Sequence, residues 1–132
     1  MKNIKYLVII IILISCQTKY SEFSENLSKG FLFSNQGEGA NGIYGGSGKV
    51  RPIDWVKKYD DDGKYISIWQ ADSILMQSRN FNYEKYKRNT YYPDDRFYVI
   101  DLKKEKLLGP FKKNEFYLIA KKLKISVSWK PK

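Results

Sequence analysis

The chain has 132 residues, enough for one small domain, and a net charge of +10 from 24 Lys and Arg against 14 Asp and Glu. It has no His and one Cys, which excludes Ser-His and Cys-His catalysis, imidazole metal ligation, thiolate zinc clusters and any internal disulfide. Hydrophobic residues make up 42% and aromatics 16%, with eleven Tyr, a composition that favours strands over a helical bundle.

Residues 1–5 carry Lys2 and Lys5, residues 6–14 form a nine-residue apolar run, and Ser15 and Cys16 follow. A basic start, a short apolar run and a small residue at its end make a secretory signal. The run is too short to cross a bilayer, which takes about 20 residues. Its end, Leu13-Ile14-Ser15-Cys16, resembles a bacterial lipobox. That resemblance implies cleavage before Cys16 and a diacylglyceryl thioether on its sulfur. Two or more acyl chains hold a protein stably at a membrane, where one holds it only marginally. The expected organisation is a signal peptide at 1–15, a lipidated Cys16 with a tether at 16–29, and one domain at 30–132.

Along that domain, residues 30–33 read as a first strand. Residues 35–48 hold six Gly among fourteen and read as a flexible loop, with a brief strand at Ile43-Tyr44. Residues 50–59 read as one strand that places Ile53, Trp55, Lys57 and Tyr59 on a shared face. Asp60-Asp61-Asp62-Gly63 is a hairpin turn. Residues 64–70 return, with Ile66 and Ile68 on one face and Tyr65 and Trp69 on the other. After a turn at Ala71-Asp72-Ser73, residues 74–78 are predicted as a third strand.

Residues 79–95 have little period, and Pro93-Asp94-Asp95 closes them as a turn. Residues 97–102 are the clearest strand, turned by Lys103-Lys104-Glu105-Lys106. Leu107-Leu108 begins a return that Gly109-Pro110 breaks. Asn114 is positioned to cap a helix reaching about Lys124, with Phe116, Ile119, Ala120 and Leu123 as its core stripe. Residues 125–129 read as a final short strand. The expected fold is α+β: a small antiparallel sheet of five or six strands with one C-terminal helix.

The strand at Phe97-Tyr98-Val99-Ile100-Asp101-Leu102, the turn, Leu107-Leu108-Gly109-Pro110-Phe111, and the helix with Glu115-Phe116 resemble the end of small bacterial lipoproteins of the domain-of-unknown-function 3997 group. The likeness covers about the last 40 residues. Gly30-Phe31 and Tyr65-Ile66 fit it more loosely. The group has no assigned activity, so it implies no catalytic residues.

Four motifs are discarded as chemistry. Residues 37–42 spell G-x-G-x-x-G, but the glycine-rich stretch after them cannot continue as the helix that a dinucleotide site needs. Gly48-Lys49 resembles a phosphate-loop end but lacks the first Gly and the Ser or Thr. Residues 60–63 place Lys64 and Ala71 where a calcium loop needs ligands, and so read as a solvated turn. Asp94-Asp95 is the best carboxylate pair for glycoside hydrolysis, and it lies in a common turn sequence. No enzyme, cofactor or metal is expected.

Two surfaces remain. Residues 103–132 hold ten Lys and two Glu, net +8, which equals the whole surplus of residues 16–132. Such a face suits anionic lipid, lipopolysaccharide or an acidic partner; the plainer reading is a solvated lysine-rich surface. Export argues against nucleic acid. The aromatics of residues 81–98, with Tyr83, Tyr86, Tyr91 and Tyr92 foremost, read either as a platform for a glycan or protein or as cover for the sheet. The functional expectation is a non-enzymatic interaction module lipid-anchored in the cell envelope. The alternatives are a glycan- or small-ligand-binding lipoprotein and an immunity-type lipoprotein. Gln17 is not the Asp that retains such proteins in the inner membrane of enteric bacteria, so the outer membrane is expected in a two-membrane cell. No pattern in the chain sets an oligomeric state.

Overall fold

The computed structural model describes residues 23–35, 41–79, 81–82 and 90–129. Eight strands form two four-stranded antiparallel sheets, each a simple meander. The first sheet holds β1 (Phe23–Asn26), β2 (Phe31–Asn35), β3 (Asn41–Gly45) and β4 (Ile53–Asp54). The second holds β5 (Val56–Asp61), β6 (Tyr65–Gln70), β7 (Arg96–Asp101) and β8 (Lys106–Phe111). Helix α1 (Ser73–Met76) follows β6, and helix α2 (Lys113–Lys122) follows β8. The expected antiparallel pairing and C-terminal helix are present, but among the described residues the strands number eight in two sheets rather than five or six in one.

The second sheet is the middle layer. Ile66, Ile68, Tyr98 and Ile100 pack with Phe31, Phe33, Ile43 and Ile53 of the first sheet. On the other face, Trp69, Phe97 and Val99 pack with Phe116 and Ala120 of α2 and with Trp129. This explains the unbroken apolar run in β7. A strand covered on both faces has no polar side to alternate with.

The expected single strand over residues 50–59 is divided at Trp55. Its φ is +57°, left-handed backbone that costs a non-glycine residue about 1–2 kcal/mol. The chain turns there from β4 in one sheet to β5 in the other, and the shared face of Ile53, Trp55, Lys57 and Tyr59 does not exist. The expected strand after Ser73 is α1 instead. The Asp72 carboxylate accepts from the N–H groups of Ile74 and Leu75, and this cap starts a helical turn.

Gly109-Pro110 does not end the return strand, because β8 runs through it to Phe111. Phe97 pairs with Phe111 and Val99 with Leu108, so β8 carries an extra residue as a bulge. Gly109 has φ +109°, and a Cβ there would lie 2.7 Å from the Phe97 carbonyl oxygen. Only glycine fits that bulge. Helix α2 begins two residues earlier than expected. Lys112 is its N-cap, and Glu115 accepts from the Lys112 N–H in place of a cap by Asn114. Residues 125–129 form no strand, yet Trp129 is buried.

Residues 23–29, read as tether, belong to the fold through β1 and a 3-10 turn at Ser28–Gly30. The β5–β6 turn is solvent-exposed at Asp62, Gly63 and Lys64, as a solvated turn is expected to be, and its aspartates also hold neighbouring chain. Asp61 accepts from the N–H and hydroxyl of Ser28 at 2.6 and 2.9 Å. Asp60 accepts from the N–H and hydroxyl of Ser128 at 2.5 and 3.0 Å. Asp62 accepts from the N–H groups of Lys64 and Tyr65. Asp60 and Asp61 thus fasten two distant parts of the chain to this turn, and Asp62 closes the turn itself.

Candidate functional site

The expected tyrosine platform divides into two parts. Cys16, Tyr83 and Tyr86 lie outside the described residues. Tyr91 and Tyr92 are half-buried and engaged inward. The Tyr91 ring stacks on Phe97 with centroids 6.0 Å apart, and its hydroxyl donates to the Pro93 carbonyl at 3.3 Å. The Tyr92 ring lies 4.9 Å from the Lys57 ammonium. Of the two readings of this loop, Tyr91 and Tyr92 follow the covering one.

Beneath them is the most desolvated charge pair among the described residues. The Lys57 side chain is 3% exposed and that of Asp95 is 0% exposed, with nitrogen and oxygen 2.8 Å apart. Lys57 also donates to the Thr90 carbonyl at 2.7 Å and sits 4.3 Å from the Trp69 ring centroid. Asp95 accepts from Trp69 Nε1 at 3.0 Å and from the N–H groups of Asp72 and Tyr92 at 2.9 and 3.1 Å. The acids read together as a turn pair therefore have opposite environments. Asp94 is exposed and 3.9 Å from Arg96, whereas Asp95 is enclosed. The arrangement ties β5, β6 and both loops flanking α1 to one point.

Burial holds the Lys57 ammonium below its ordinary pKa of 10.5, against the opposing hydrogen bond and charge of Asp95. The folded chain therefore binds this proton less tightly than the unfolded chain does. The resulting penalty is complete below the lowered folded pKa and is relieved as pH rises from there towards 10.5. The stability of the natural chain relative to Lys57→Met is expected to rise with pH across that window. Urea denaturation of both proteins at stepped pH checks this, and a flat difference contradicts it.

Among the concavities formed by the described residues, two offer candidate binding surfaces. One, of about 470 Å³, is lined by Asn41, Tyr44, Asp54 and Trp55 among others. Asn41 is 7% exposed, and its Nδ2 donates to the Val56 carbonyl at 3.3 Å. Its Oδ1 is buried with no hydrogen-bond partner among the described residues, a costly state unless a donor arrives. The left-handed Trp55 lines the same wall, and strained backbone concentrates at binding sites. Sequence reasoning missed this place because Trp55 read as an ordinary strand residue and Asn41 as a loop residue.

The second concavity, of about 490 Å³, opens among Lys29, Lys64, Lys103, Lys104 and Asp101, with Leu123 at its side. The β5–β6 turn, the β7–β8 turn and the end of α2 meet there. The charge gathered in residues 103–132 thus joins lysines from elsewhere in the chain. Among the described residues, no group of three or more acidic or thiol side chains is arranged for a metal, and no helix is long and apolar enough to cross a membrane. No protein family, curated protein or solved structure gives a significant match to the chain.

Proposed function

We propose that the chain is a lipid-anchored, non-enzymatic interaction module of the cell envelope. The observation that carries this reading is Cys16 directly after Leu13-Ile14-Ser15, with β1 starting at Phe23. A two- or three-chain anchor there fixes the domain to a membrane surface. The buried ionisable pair supports a module rather than a catalyst, because Lys57 and Asp95 engage each other and the surrounding backbone. In cells fed labelled palmitate, the natural chain is expected to take up label and lose residues 1–15. Cys16→Ser is expected to do neither. Equal labelling and processing of the two chains contradicts the proposal.

A second reading, a glycan- or small-ligand-binding lipoprotein, is favoured by one observation. The concavity at Asn41 offers a buried acceptor without a donor. Sugar hydroxyls supply donors, Tyr44 and Trp55 supply ring faces for the apolar side of a sugar, and Asp54 supplies a carboxylate. On this reading the glycan lies against β3, β4 and Trp55 rather than on the 81–98 loop. Glycan-array binding is expected to drop at least about tenfold in Asn41→Ala, by loss of one buried hydrogen bond. Binding unchanged in both Asn41→Ala and Trp55→Ala contradicts this reading.

A further inference from the structure

We propose that the lysine-rich end of the domain, together with the exposed face of α2, docks on an anionic lipid bilayer. The proposal rests on the anchor reading above and adds an orientation to it. Three observations carry it.

The first is the charge. Lys29, Lys64, Lys103 and Lys104 surround one concavity. Lys121, Lys122 and Lys124 follow at the end of α2, whose C-cap Leu123 lines that concavity. The acids nearby, Asp61, Asp62, Asp101 and Glu105, each accept hydrogen bonds, and the lysines outnumber them. Asp101 accepts from the Lys104 N–H at 3.0 Å. Glu105 accepts from the Ser47 hydroxyl, which, with Lys49 nearby, holds its carboxyl below the usual range.

The second is the apolar exposure. Phe116 and Ala120 bury one face of α2, while Leu118 is 71% exposed and Tyr117 is 37% exposed on the other. Lys121 and Lys122 lie three and four residues beyond Leu118, and so beside it on the helix surface. An exposed leucine and tyrosine bordered by lysines are the parts of a helix that lies in a lipid interface.

The third is reach. Six residues, 17–22, separate Cys16 from β1, and the seven steps span at most about 25 Å. A domain held that close meets the bilayer at high effective concentration. The basic surface is drawn from four separate parts of the fold, which suits a broad sheet of negative charge better than a single acidic peptide.

The test uses the lipidated chain carrying Leu118→Cys. The Cys16 sulfur is then in thioether linkage, so the new thiol alone takes an environment-sensitive fluorophore. The protein is reconstituted into vesicles of phosphatidylcholine, without or with phosphatidylglycerol. Emission is expected to shift to the blue only on the anionic vesicles, and the shift is expected to disappear at high salt. Adding Lys121→Glu, Lys122→Glu and Lys124→Glu is expected to lower the docked-to-undocked ratio on the order of a hundredfold or more, with the circular dichroism unchanged. Identical emission on both vesicle types, with the protein still floating with them, overturns the docking proposal and leaves the anchor reading standing. An unacylated Cys16 peptide in the mass spectrum overturns both.

Discussion

Replacing Asp95 with alanine is expected to lower the unfolding free energy by about 3–5 kcal/mol, the cost of breaking a buried ion pair by removing one member. Asp95 is fully buried and neutralises Lys57, whose side chain is 3% exposed. Without it, the ammonium keeps the Thr90 carbonyl and the Trp69 and Tyr92 ring faces, but loses the carboxylate 2.8 Å away. Trp69 Nε1 and the N–H groups of Asp72 and Tyr92 lose an acceptor at the same time. Lys57→Met is expected to cost less, about 1–3 kcal/mol, because the carboxylate keeps three N–H donors. Urea unfolding followed by tryptophan fluorescence checks the order. Equal losses, or a milder Asp95→Ala, contradict the assignment of Asp95 as the point that gathers the surrounding chain.

The second large effect is expected at Phe97. This residue is 0% exposed in the middle layer. Its ring lies 4.9 Å from Phe116, 5.7 Å from Trp69, 6.0 Å from Tyr91 and 6.1 Å from Trp129, centroid to centroid. Four aromatic neighbours from β6, the 90–95 loop, α2 and the C-terminal segment are too rigid to collapse into the space it leaves. Phe97→Ala is therefore expected to cost about 3–5 kcal/mol, the transfer term plus the cavity term. Leu118→Ala, on the outer face of α2, is expected to change stability by less than about 0.5 kcal/mol. Thermal unfolding of the pair checks both values. A loss at Phe97 as small as that at Leu118 contradicts the placement of the α2 core.

The parts of the fold legible in the sequence are those whose burial is written in local pattern. Strand β6 showed its alternation in Ile66 and Ile68, β7 its apolar run, and α2 its three-and-four spacing. The parts that were not legible depend on partners far along the chain. Asp95 stands in a turn sequence beside Pro93 and Asp94, while Lys57 is 38 positions away. No local signal marks such a pair. Trp55 hides the passage between sheets because its left-handed backbone occurs at a bulky residue, where glycine is the usual signal. Gly109-Pro110 signals a break in any strand, and only the register with β7 turns that break into a bulge. The Ile74-Leu75-Met76 triplet suits strand or helix equally until the Asp72 cap is seen.

The candidate surfaces were legible to different degrees. The net charge of residues 103–132 pointed to a basic face, but Lys29 and Lys64 join it only through the fold. The tyrosine loop was visible as composition, while the inward use of Tyr91 and Tyr92 required Phe97 and Lys57 to be in place. The unpaired Asn41 Oδ1 has no signature in sequence at all.

The most direct measurement is the intact mass of the protein isolated from its own membrane. The expected mass is that of a chain beginning at Cys16 with a diacylglyceryl group on the sulfur. A mass that retains residues 1–15, or one that begins at Cys16 without lipid, contradicts the account.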